Sequence, residues 1–221
     1  MAVRQFSYPE RRSKIKFNTP FAKAVENFRR DALSHEDYDP ANLAIFGFIM
    51  GRAVLEMLKA GERAFGEEGQ RVLTQALVDL GYQVAAEMLE DVEIPQDLTP
   101  IEVASIWTTA INEGPYCSVE DATIDSEEEA SFHIRWCPFQ DIYTPLDCRV
   151  QRYMVEGMVK AAAEKTAKDL DLAFDYGIPS GYETCHFHLW QGKEGEGRKA
   201  WDEYTAVINA AGLRKAREEQ K

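Results

Sequence analysis

The chain has 221 residues, 45% of them apolar and 29% charged, enough to bury one good core, and its uninterrupted apolar runs fall short of the roughly 20 residues that a membrane-spanning helix needs. Lys and Arg number 25 against 38 acids, a formal charge of −13 that repels phosphate backbones and anionic lipid, so neither nucleic acid nor membrane is an expected partner. The opening residues lack the apolar stretch of a secretory signal. Four scattered cysteines are too sparse for a disulfide scaffold, and together these features point to the cytoplasm and to free thiols or a metal site.

Charge is uneven along the chain. Arg4, Arg11, Arg12, Lys14 and Lys16 against Glu10 alone give residues 1–16 a net +4, leaving −17 for the remainder. Residues 1–20 are therefore read as a basic arm and residues 21–221 as one domain. Asn18 and Pro20 open a helix in which Phe21, Val25 and Phe28 recur at helical spacing, and SHEDYDP at 34–40 ends it. Residues 41–59 form the most hydrophobic helix, expected at the centre of the fold, with Gly47 and Gly51 one turn apart for close packing. After a break at 60–69, apolar residues from Val72 to Met88 repeat with a helical period and predict a second, amphipathic helix packed on the first.

Thr99, Pro100 and Glu102 carry the signature of a helix start, and NEGPYC at 112–117 marks the change from helices to strands. Residues 118–124 and 130–136 predict a hairpin around the acidic turn at 125–129. The second strand alternates, with Phe132, Ile134 and Trp136 on one face and His133, Arg135 and Cys137 on the other. Thr144 and Pro145 start a helix that is expected to run to about residue 176. A loop follows, then a third strand at TCHFHLW (184–190), a flexible stretch at 192–197 and a charged terminal helix. The pattern predicts an α+β fold: N-terminal helices packed on a small, mainly antiparallel sheet, with a long helix between strands. No glycine-rich phosphate loop and no GxSxG elbow occurs.

Chemistry concentrates between WCPF (136–139) and CHFH (185–188), which hold three of the four cysteines and two of the four histidines. Cys148, in the expected first helical turn, is placed where backbone N–H groups favour a thiolate; Arg152 and Glu156 follow on the same helical face. Strand alternation sends His186 and His188 to one face, where they can meet His133 and Arg135, and Cys185 to the other. Cys137, Cys148 and Cys185 with a histidine also make a zinc-type ligand set, without the CxxC spacing that would make it specific.

The GxxxGRAVLEML segment from Gly47, the WCPF, the cysteine on the following helix and the GxxxCxF of Gly181, Cys185 and Phe187 together resemble the L-2-amino-thiazoline-4-carboxylic acid hydrolase family. The chain departs from the pattern at Gln151, where family members tend to carry an acid one turn after the cysteine. The resemblance implies hydrolytic opening of a cyclic amidine: addition at the carbon between ring sulfur and nitrogen, and cleavage of the ring C–N bond to leave an N-carbamoyl amino acid. It implies Cys185 or Cys148 as nucleophile, His186, His188 or His133 as acid/base, Arg135 or Arg152 as carboxylate clamp, and Glu156 as holder of the amidinium. The alternative resemblance is to small-molecule sensor domains of the vinyl-4-reductase type, in which Cys137, Cys148 and Cys185 would hold zinc or iron; a non-catalytic homologue is the third. The expected partner is a small-molecule substrate or ligand, and a homo-oligomer is allowed.

Overall fold

The computed structural model describes residues 10, 14–166, 170–192 and 198–220. Arg4, Arg11 and Arg12 of the basic arm and most of the 192–197 stretch lie outside them. Five α-helices and a four-stranded sheet make up the described fold: α1 (Ala22–Asp31), α2 (Ala41–Leu89), α3 (Pro100–Glu113), β1 (Val119–Ile124), β2 (Glu129–Trp136), α4 (Arg149–Thr166), β3 (Leu170–Tyr176), β4 (Cys185–Gln191) and α5 (Lys199–Glu218). Neighbouring strands are antiparallel in the order β1-β2-β4-β3. The α+β architecture expected from the sequence is the one observed.

The break expected at 60–69 shrinks to one residue. Gly66 has φ 60° and ψ −134°, a conformation that costs a side-chain-bearing residue dearly, and helix continues on both sides. The chain turns back there, so that Gly61 lies against Gly69 and Leu73. The two limbs of α2 then share one core cluster: Leu55 and Leu58 from the first limb and Val78 from the second pack with Tyr143, Val150, Tyr153 and Ile208.

Only the later part of the first limb is central. Leu43, Ile45, Phe46, Ile49 and Met50 are exposed, which corrects the expectation that the whole of residues 41–59 sits at the centre of the fold. By length and composition α2 could cross a bilayer, although from Leu55 onward it supplies core residues to this fold. Gly51 meets Phe139 and Tyr143 as expected for close packing, whereas Gly47 faces open space.

The helix expected from 144 to 176 divides into three parts. Thr144 donates through its backbone N–H and its hydroxyl to Asp147 Oδ2 (3.0 and 2.7 Å), forming a turn that precedes the helix. Helix α4 spans Arg149–Thr166, and Leu170–Tyr176 form strand β3. The strand signal is the alternation of Leu170, Leu172 and Phe174 with Asp171, Ala173 and Asp175, a period of two that directly follows the helical one. The expected start at Thr99 is observed as a reciprocal capping box with Glu102.

Helix α3 covers one sheet face, packing Ile101 and Ala104 on Ile124, Ala130, Phe132, Phe187 and Leu189. Helix α4 crosses α2 with backbones in contact. A Cβ at Gly157 would overlap the Val78 carbonyl, and one at Gly81 would overlap the carbonyl of Met154. A buried ion pair, Arg149 Nη2 to Glu62 at 2.6 Å, fixes the start of α4 beside the Gly66 turn; Gln70 donates to the other Glu62 oxygen (2.7 Å) and to the Asn209 carbonyl of α5 (3.0 Å). Gly157→Ala should destabilise the fold by roughly 3 kcal/mol, as overpacking against immovable backbone does. Gly47→Ala should instead stabilise it by up to about 1 kcal/mol through helix propensity. Urea denaturation of the two variants checks both signs.

Candidate functional site

A cavity of about 320 Å³ lies between the covered sheet face, α3, α4 and the loop that joins β3 to β4. Cys137, Cys148 and Cys185 all line it, together with Arg152, Tyr116 and Tyr204. Three sequence-distant thiols and the guanidinium singled out beside them thus converge. Most other lining residues are apolar, among them Trp107, Ile111 and Val155. Size and lining both suit a small organic ligand with few polar anchors.

Each thiol is held by a different local device. Cys137 directly follows β2 and begins the CPFQ turn, which takes it off the histidine face predicted by strand alternation and into the cavity wall; the backbone N–H groups of Phe139 and Gln140 favour its thiolate. Cys185 begins β4, and its sulfur accepts the Ile178 N–H at 3.3 Å. Burial pushes both thiols above their ordinary range, while these N–H donors pull the other way. Cys148 has no such donor. It lies just before α4 rather than in its first turn, and burial, with the other two sulfurs nearby, pushes it up to about 12 despite Arg152. The sequence expectation of an easily ionised Cys148 is therefore corrected: desolvation outweighs the helix start.

Arg152 is 7% exposed, and among the described residues it has no carboxylate partner. Its guanidinium carbon lies 3.9 Å from the Phe174 ring centroid and 3.4 Å from that of Tyr204, so aromatic faces hold the charge in place. Burial lowers its pKa to about 10, which leaves it cationic at neutral pH. Tyr116 donates to the Gln151 carbonyl (2.9 Å), and Asp171 accepts from Ala200 and Trp201 N–H, capping α5. Glu156 pairs with Lys160 at 2.7 Å and does not line the cavity.

The histidines lie across the sheet. His133 is the register partner of His186, with ring centroids 4.4 Å apart, and His133 Nδ1 lies 3.2 Å from Thr184 Oγ1. His186 and His188 each bring Nδ1 to Asp175 Oδ2, at 2.6 and 3.1 Å. Arg135 is on this side too, paired with the exposed Asp121. The expected meeting of His133, Arg135, His186 and His188 on one face is observed, and no histidine is among the residues lining the cavity. Asp175 touches both regions, and the sequence does not single it out because the helical pattern expected to reach residue 176 runs over its strand.

As for metal, the three sulfurs share the cavity wall, but among the described residues they do not form a set of ligand atoms all within 4.8 Å of one another; Asp175, His186 and His188 do. The donor chemistry of the three cysteines suits zinc or iron, and their spacing here is looser than a closed thiolate site.

Thiol chemistry provides a check. With a small alkylating reagent near neutral pH, exposed Cys117 should react first and Cys148 last, as read by peptide mass spectrometry. Because Cys148 keeps its proton in the folded state after an unfolded thiol would lose it, its contribution to stability is complete below about pH 9 and is lost as pH rises towards about 12. Cys148→Ala should flatten that alkaline decline in the denaturation midpoint.

The sequence profile of the L-2-amino-thiazoline-4-carboxylic acid hydrolase family matches residues 48–189, which contain every cavity-lining residue named above except Tyr204. A protein of Archaeoglobus fulgidus, described only as uncharacterized, is 37% identical over 203 residues, covering 89% of each chain. The family profile spans more than half of the chain and contains the motifs that enclose the cavity: the chain belongs to the L-2-amino-thiazoline-4-carboxylic acid hydrolase family.

Proposed function

We propose that the cavity binds a small cyclic amidine bearing a carboxylate, of the 2-amino-thiazoline-4-carboxylate type, and opens it hydrolytically. The observation that carries this reading is Arg152: a buried guanidinium without an ion-pair partner among the described residues, at a cavity that three thiols line. An unpaired buried charge is costly, and a planar carboxylate that forks onto the guanidinium would offset that cost.

With the carboxylate on Arg152, the amidine carbon is the electrophile. Cys185 is assigned as nucleophile because a backbone N–H donates to its sulfur and favours the thiolate, a relief that Cys148 lacks. Its sulfur adds to the carbon between ring sulfur and nitrogen. The adduct then expels the ring sulfur, which takes up the proton that Cys185 gave up. Water next adds to the same carbon, Cys185 leaves as thiolate and regains a proton from that water, and an N-carbamoyl amino acid with a free thiol is released. The net reaction consumes one water.

Atom balance corrects the bond expected from the resemblance. An N-carbamoyl product retains the ring C–N bond, so C–S must break; C–N cleavage would leave an S-carbamoyl product instead. Sulfur departs as a thiolate without prior protonation, whereas nitrogen needs an acid, and the histidines are across the sheet. Those histidines are accordingly left out of the chemical steps, as is Arg135, whose guanidinium is already paired with Asp121.

A second reading rests on the two N–H groups donated to Cys137, an arrangement that also suits a metal-bound thiolate: a metal-containing small-molecule binding domain. About one zinc or iron per chain in protein purified without chelator, with thiols protected until a chelator is added, would favour it.

Incubation with L-2-amino-thiazoline-4-carboxylate should release one new thiol per turnover, measured with a thiol reagent after protein removal. Cys185→Ala should abolish turnover without unfolding the protein. Arg152→Met should raise KM by about ten- to a hundredfold, the worth of a charged hydrogen-bonded contact, with unchanged or higher thermal stability. Since Cys185 is held above its ordinary pKa, kcat should climb close to tenfold per pH unit from pH 6 to 8. Substrate loss without a new thiol would reject the assigned bond, and full activity in Cys185→Ala would reject the nucleophile.

A further inference from the structure

Opposite the cavity, three potential ligands converge on the open face of the sheet. Asp175, His186 and His188 each offer a ligand atom within 4.8 Å of the other two, and the Nδ1 atoms of His186 and His188 lie 2.6 and 3.1 Å from Asp175 Oδ2. His186 and His188 project from β4 on the same side, two residues apart, and Asp175 comes from the neighbouring strand β3. The β3–β4 register shifts between Phe174 and Tyr176, which makes Asp175 the extra, unpaired residue of a bulge. Bulges re-aim side chains, and this one delivers a carboxylate to both imidazoles. Ala173, the register partner of His188, is small enough to leave space beside that ring.

Packing holds both imidazoles in place. His186 lies between His133 (ring centroids 4.4 Å apart) and Tyr176 (5.3 Å), and His188 lies 5.1 Å from Trp190. The side chains remain open to solvent, at 20% for His186, 27% for His188 and 38% for Asp175. An ion can therefore enter without the fold opening.

We propose that Asp175, His186 and His188 form a binding site for a borderline divalent transition ion, of which zinc is the biological candidate, with solvent completing the coordination. Two imidazoles and one carboxylate suit zinc, cobalt and nickel over magnesium or calcium, which prefer sites made of oxygen. The site is separate from the thiol cavity and does not depend on the proposed hydrolysis. Of the three ligands only Asp175 also lines the cavity, so an ion there would bring positive charge to the cavity edge.

Cobalt titration of the purified full chain tests this assignment. Wild type should take up one equivalent with d–d absorption bands, no sulfur-to-cobalt charge transfer, and quenching of Trp190 fluorescence. His188→Ala should weaken binding by more than the roughly 10–100-fold that losing an outer-shell partner costs. Asp175→Asn, nearly isosteric, should weaken it at least about tenfold, and it carries the test should His188→Ala fail to fold. Cys185→Ala should bind like wild type. No saturable binding, wild-type affinity in Asp175→Asn, or a thiolate charge-transfer band at one equivalent would overturn the proposal. Binding is read directly, so inactivity towards a thiazoline leaves this result intact.

Discussion

The backbone contact between α2 and α4 determines where everything else can lie. Gly81 fits against the Met154 carbonyl and Gly157 against that of Val78, so the helices approach more closely than side chains would allow. The Glu62–Arg149 ion pair then fixes the start of α4, one turn from Arg152. A buried pair of this kind contributes little net stability compared with an apolar pair, and losing one partner is expensive, so its clearest role is positional. Together the contact and the pair set Arg152 between Phe174 and Tyr204 and place Cys148 on the same cavity wall as Cys137 and Cys185.

The sheet divides the titratable residues into two chemically distinct surfaces. On the covered side, desolvation dominates: thiols are pushed up, the guanidinium is pushed down, and backbone N–H groups provide local relief at Cys137 and Cys185. On the open side, histidines and Asp175 satisfy one another in contact with solvent. In a chain of net charge −13, a buried cation at a cavity offers an anionic ligand a local well within a generally repulsive field. Recognition of a carboxylate here depends on burial of one arginine rather than on the charge of the whole molecule.

Much of this arrangement was legible in the sequence. The period of two in β4 puts Cys185 and the histidines on opposite faces, and pairing of β2 with β4 brings His133 opposite His186; the same alternation puts Cys137 beside His133, and fails there because β2 ends at Trp136 and Cys137 turns into the cavity wall. Helical spacing related Cys148 to Arg152, though it put Glu156 on the same face without showing that Lys160 would engage it. Strand β3, and Asp175 with it, is hidden in the sequence because Leu170, Leu172 and Phe174 continue an apolar pattern begun in α4. The state of Cys148 was misjudged for a different reason: position in the chain reveals a helix start, whereas burial depends on what the rest of the fold places around it. Gly47 and Gly51 look equivalent in sequence, yet only Gly51 has a neighbour to accommodate, which again is a tertiary fact.

The most direct test of the account is a crystal structure of the Cys185→Ala protein soaked with L-2-amino-thiazoline-4-carboxylate. The account predicts the substrate in the thiol-lined cavity, its carboxylate forked onto Arg152 and its amidine carbon facing the position vacated by the Cys185 sulfur. A substrate bound on the histidine face, or one in the cavity with its carboxylate turned away from Arg152, would contradict it.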